Sequence, residues 1–182
     1  TKPYEEGVFR TAEGLKRMEE PERYRELMES FIAKFPTSTR VAEAINNLGW
    51  YWRINEQPEK ARELYWEAIK AYGDDPSIRS VEALFPSLAR LYRSPEDSEE
   101  FIRTLGDMSR EAQAAGQKTY AMRLLHARAS AIRRKNPEVA RSLLVQAAAL
   151  ADPQTASPAM LVDLAEALRE SGRPDDAAAM LT

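Results

Sequence analysis

The sequence repeats itself every 37 to 40 residues, and this period constrains the fold more than any other feature. Apolar and small residues recur at steps of three and four positions, as from Ile45 through Leu48 to Trp52. Residues at this spacing share one face of an α-helix. The corresponding position of each copy is occupied by Thr11, Leu48, Leu88, Ala127 and Leu164. A repeat of this length with helical periodicity is typical of stacked supersecondary units.

Each copy contains a second run with the same periodicity, such as Ala61, Tyr65 and Ala68. Proline precedes this second run by three residues at Pro21, Pro58, Pro137 and Pro174. Proline is favoured in the first turn of a helix, where its missing N–H would have no partner. The pattern therefore predicts an all-α fold of about five antiparallel helical hairpins. The copies run over residues 3–36, 37–75, 76–116, 117–153 and 154–182.

The third copy departs from the others. Pro86 falls inside its first helix, where it is expected to kink or split the helix near Phe85. Ser94 and Asp97 have the spacing of a capping box, which predicts an early start for the second helix. We therefore expect a shorter first helix and a longer second helix in this copy.

The second copy carries the residues by which the chain resembles the tetratricopeptide repeat family: Leu48, Gly49, Trp52, Ala61 and Tyr65. The resemblance implies one domain over residues 1–182, folded as a right-handed superhelical solenoid. It also implies a concave groove, lined by the first helices, that binds a peptide or helix of another protein. The family supplies no catalytic residue, metal site or cofactor.

A shorter resemblance concerns location. The stretch 31–38 is similar to bacterial cell-envelope members of the family, which favours a periplasmic or cell-envelope location and leaves the cytoplasm open. The chain begins with Thr1 and ends within a helical pattern at Thr182. We expect it to be a fragment of a larger chain.

Composition excludes several classes of function. The net charge of −3 argues against a nucleic-acid partner, because such binding depends on neutralising phosphates. With no cysteine and one histidine, thiolate chemistry is excluded and a metal site is not expected. The longest apolar run, Ala147–Ala151, is far below the ~20 residues of a transmembrane helix. A non-enzymatic binding scaffold is the favoured function, and a regulatory or substrate-recruiting domain of a larger enzyme is the alternative. The oligomeric state stays open.

Candidate partner-binding residues lie in the first helices, next to the recurring apolar positions. They are Asn46, Trp50, Arg53, Arg90, Arg93, His126 and Arg133. Arginine pairs bidentately with carboxylates, so this set favours an acidic segment or a C-terminal carboxylate. Alternatively, the arginines are solvated and contribute little. Trp50 is either a partner anchor or packs against a neighbouring helix, and His126 is expected to be a hydrogen-bonded histidine of the surface or groove.

A basic block follows in the fourth copy, with Arg123, Arg128, Arg133–Lys135 and Arg141. We expect a solvated face that attracts the acidic segment Glu96–Glu100. The alternative is docking to anionic lipid or nucleic acid.

Overall fold

The structure is a computed structural model that describes residues 2–18 and 20–181, and this part of the chain contains ten α-helices, one 3₁₀-helix and no strand. The α-helices are α1 (Lys2–Arg17), α2 (Pro21–Lys34), α3 (Val41–Ile54), α4 (Pro58–Tyr72), α5 (Leu84–Ala89), α6 (Pro95–Ala114), α7 (Lys118–Ile132), α8 (Pro137–Ala148), α9 (Pro158–Glu170) and α10 (Pro174–Met180). The 3₁₀-helix spans Arg79–Ala83 and leads directly into α5. The predicted all-α class is confirmed.

Consecutive helices pair within four hairpins, α1–α2, α3–α4, α7–α8 and α9–α10, whereas α5 makes little contact with α6 and packs on α4 instead. Helices α2, α4, α6 and α8 each contact the first helix that follows. The four prolines expected at helix starts occupy the first turns of α2, α4, α8 and α10. The result is a helical-repeat solenoid in which α1, α3, α5, α7 and α9 are the first helices.

The third hairpin has the predicted asymmetry. Its first helix is divided into the 3₁₀-helix and the six-residue α5, with the division two residues before Pro86. Its second helix, α6, has twenty residues and begins with the capping box, in which the Ser94 side chain accepts from the Asp97 N–H. Proline and the cap together explain why this hairpin differs from its neighbours.

The core is shared between neighbouring hairpins. Helix α3 contributes Leu48 to an apolar cluster with α1 and α2, and Ile45 to a cluster that extends to α7. Helix α7 in turn contributes Leu124 to that middle cluster and Leu125 to a third cluster with α8, α9 and α10. Because α3 and α7 are each buried in the clusters on both of their sides, stability depends on interfaces between repeats.

Gly49 and Gly106 each leave room for a side chain of a neighbouring helix. A Cβ at Gly49 would lie 2.3 Å from the Tyr65 ring, so the α3–α4 contact requires glycine. A Cβ at Gly106 would lie 3.0 Å from the guanidinium carbon of Arg128. Gly106 therefore makes room for Arg128 at a column position that a small residue occupies in the other copies.

Arg123 corrects the prediction of a solvated basic face, because it is fully buried. Its guanidinium donates to the carbonyls of Gly73, Asp75 and Ile78 at 2.8, 3.0 and 3.3 Å. Its Nε lies 3.6 Å from a carboxylate oxygen of Glu82. Arg123 thus fastens α7 to the turn after α4 and to the start of the 3₁₀-helix.

Candidate functional site

A cavity of about 860 Å³ lies between the first helices of the last three hairpins. Its apolar walls come from Phe85, Pro86, Ala89, Phe101, Ala127 and Met160. Five of the first-helix wall positions are alanines, at 83, 89, 127, 131 and 159. The cavity forms because the first helix of the third hairpin is short and these side chains are small.

A polar cluster surrounds the hydroxyl of Tyr65, a residue of α4 that is 3% exposed. This hydroxyl donates to the backbone carbonyl of Asn46 at 3.2 Å. Burial raises the pKa of Tyr65, and the nearby charges of Arg53 and Arg90, together with the Ser87 hydroxyl, partly oppose this effect. Among the predicted residues, Asn46 thus contacts this hydroxyl through its backbone, and Arg53 and Arg90 affect it through their charges.

Arginines mark the C-terminal ends of the first helices. Arg53 lies in the last turn of α3, Arg90 caps α5, Arg134 lies just beyond α7, and Arg169 lies in the last turn of α9. We call these four residues the arginine edge. A cation at the C-terminal end of a helix is favoured by the helix dipole. In a stack of helical hairpins the first helices share one chain direction, so their C-terminal ends belong to the same side of the stack.

The four side chains of the arginine edge are exposed. Within residues 2–18 and 20–181, they make no hydrogen bond or ion pair with another side chain. Arg90 and Arg134 also line the cavity. Guanidinium donors are therefore available to a ligand at the rim of an apolar cavity.

Two other predicted residues, His126 and Arg133, belong to an ion-pair network between α7 and α9. His126 Nε2 lies 2.9 Å from Asp163 Oδ2. Arg133 lies 3.5 Å from Asp163 and 3.4 Å from Glu166. The hydrogen bond from His126 lowers the pKa of Asp163 against the effect of burial, and the charges of His126 and Arg133 add to the lowering. The charge of Arg133 is thus compensated by acids of the same chain.

Trp50 lies elsewhere. Its ring is half-buried in a T-shaped contact with Tyr24 at 6.2 Å, and the ammonium group of Lys16 lies 4.0 Å from its centroid. With Ile54 it lines a separate cleft of about 250 Å³ between α1, α2 and α3. Arg93 is exposed in the turn after α5 and lines neither cavity.

The basic block does not form one surface. Arg123 is buried, Arg128 packs on Gly106, and Arg141 is paired with Glu138 and Glu170, each at 2.9 Å. Arg134 is the member of the block that reaches the cavity. No local sequence signal distinguishes Arg134 from Arg133. The packing of α7 against α9 pairs Arg133 with acids and leaves Arg134 at the cavity.

Neither a membrane span nor a metal-binding cluster is found in the described residues. No helix in this part of the chain combines the length and apolar character that a membrane span requires. The same residues contain no group of three or more histidine and carboxylate side chains that could hold a metal ion.

Stacked helical hairpins that share their core with their neighbours define a helical-repeat scaffold. Residues 41–73, which comprise α3, α4 and Gly73, match the family model described as Tetratricopeptide repeat. The predicted resemblance to the tetratricopeptide repeat family is thus confirmed for the second hairpin, and this repeat is typical of protein-interaction scaffolds. A comparison with curated proteins finds no match.

Proposed function

We propose that the chain binds an acidic segment of a partner protein along the arginine edge, without chemistry on the ligand. The observation that carries the proposal is that Arg53 and Arg90 are exposed and not engaged by an acid within the described residues. Both lie at the C-terminal ends of first helices. Charge-assisted bonds from guanidinium to carboxylate are among the strongest polar contacts that an exposed site can offer.

The contrast with Arg133 supports this choice of residues. Its guanidinium already contacts two carboxylates of α9. An incoming acid would have to compete with these ion pairs, whereas at Arg53 and Arg90 it would displace only water. The acidic partner is therefore assigned to the arginine edge and not to arginine in general.

The test is fluorescence anisotropy with two labelled peptides of equal length, one of alternating Glu and Ala and one of alternating Gln and Ala. We expect the chain to prefer the Glu peptide, with an affinity that falls as salt rises. The double variant Arg53→Glu with Arg90→Glu should lose this preference. Arg103→Glu on α6 is the control, because Arg103 is exposed, has no ion-pair partner in the described residues and lies away from the cavity.

Circular dichroism establishes that both variants remain helical. An unchanged affinity of the double variant for the Glu peptide would show that the arginine edge is not the binding surface. An equal loss in Arg103→Glu would show that binding reflects total charge and not this site.

A further inference from the structure

The cavity beside the arginine edge has features that charge alone does not explain. It holds about 860 Å³, within the range of pockets that bind organic groups, and its walls are mostly apolar. Ordinary close packing of the first helices would leave no such space. It exists because α5 has only six residues and follows a 3₁₀-helix.

The cavity is bordered by arginine on two of the helices that form it. Arg90 follows α5 and Arg134 follows α7, and both line the cavity without an ion pair in the described residues. The one acidic side chain in the wall, Glu82, lies 3.6 Å from the buried Arg123, which balances its charge. A ligand thus meets an apolar interior and positive charge at the rim.

We infer that the cavity receives a bulky apolar side chain of the acidic segment, placed between two carboxylates that bind Arg90 and Arg134. This inference rests on the proposed function and specifies the segment. Packed helices lie about 8–10 Å apart, and Arg90 and Arg134 follow two first helices that are in contact, α5 and α7. An extended peptide advances about 3.3 Å per residue, so the two acids lie about three residues apart.

The experiment compares three labelled peptides of equal charge. The first carries a phenylalanine between two glutamates spaced in this way, the second has alanine at that position, and the third has the phenylalanine moved outside the pair. Burying a phenylalanine side chain corresponds to about ten- to a hundredfold in affinity. We expect the first peptide to bind at least about tenfold more tightly than the other two.

Variants of the chain test where the side chain goes. Ala131→Phe and Ala159→Phe place a ring in the cavity from exposed positions on its wall, so neither substitution requires repacking of the core. Each should bring the phenylalanine peptide down to the affinity of the alanine peptide. Ala71→Phe, at an exposed position of α4 outside the cavity, is the matched control and should change nothing.

The outcomes separate this inference from the proposed function. If Arg53→Glu with Arg90→Glu abolishes acidic binding while the phenylalanine and alanine peptides bind equally well, the cavity is not used and the inference is wrong. If 3-phenylpropionate competes as effectively as the first peptide, the cavity is a small-molecule site and the inference is also wrong. If none of the three peptides binds, both proposals fail.

Discussion

The row of first helices has two ends whose arginines look alike in sequence and differ in structure. At the α3–α5 end, Arg53 and Arg90 are exposed and have no carboxylate partner in the described residues. At the α7–α9 end, Arg133 and His126 are held by Asp163 and Glu166. The comparison teaches that the number of arginines on a face does not measure its capacity for an acidic partner. What matters is which of them the chain has already paired.

The largest effect should come from breaking the bond that joins the two ends. Arg123→Met removes the donors to four backbone carbonyls and leaves Glu82 without its counter-charge. Loss of one partner from a buried, hydrogen-bonded pair costs about 3–5 kcal/mol. Urea denaturation should show this decrease in the free energy of unfolding, against little change in Arg103→Met. A decrease below about 1 kcal/mol would contradict the assigned role of Arg123.

The comparison itself is tested by neutralising one arginine from each end. Arg90→Gln should weaken binding of the Glu peptide about tenfold, because it removes a charge-assisted hydrogen bond. Arg133→Gln should change the affinity by less than about twofold, since that guanidinium is already engaged. Anisotropy titrations of the two variants under identical salt give the answer. Equal losses would mean that the two ends do not differ.

The difference between the two ends can also be removed by freeing the arginine that is already paired. Asp163→Asn with Glu166→Gln frees Arg133 and removes two negative charges beside the face. We expect the Glu peptide to bind about two- to fivefold more tightly. The control, Asp107→Asn with Glu111→Gln on α6, makes the same change in net charge away from the cavity. A gain of equal size in the control would attribute the effect to net charge.

The smallest expected effect is a pH dependence at the paired end. The pKa of Asp163 is lowered in the folded chain by the hydrogen bond from His126. This contribution to stability is present above the ordinary aspartate pKa and is lost as pH falls through the lowered value. The difference in urea midpoint between the wild type and Asp163→Asn should therefore be larger at pH 5 than at pH 3. Since the group is partly exposed, we expect less than about 1 kcal/mol. A difference that grows toward pH 3 would have the wrong sign.

Local rules were sufficient to predict the fold. The apolar columns and the helix-starting prolines identified the hairpins, and Pro86 with the Ser94–Asp97 cap identified the irregular one. Arg128 occupies a helix position that holds a small residue in the other copies. The space that its side chain needs is provided by Gly106, on another helix. Such compensation between helices has no local signature.

The site was only partly predictable, for the same reason. The position of Arg90 next to a helix end could be read from the sequence, but the pairing of Arg133 with Asp163 joins residues thirty positions apart. Arg123 was expected to be exposed to solvent. The carbonyls of Gly73, Asp75 and Ile78, which accept its hydrogen bonds, lie 45 to 50 positions earlier in the chain. Trp50 was placed on the correct helix, but its contact with Tyr24 depends on how α2 crosses α3. Long-range packing decides these cases.

The most direct test of the central claim is a map of the bound surface by ¹⁵N–¹H NMR during titration with the phenylalanine-containing acidic peptide. The account predicts that the largest shift changes fall on Arg53, Arg90, Ser130 and Arg134, around the arginine edge and its cavity. Changes centred instead on the Trp50 cleft or on Arg141, with the cavity residues unaffected, would contradict it.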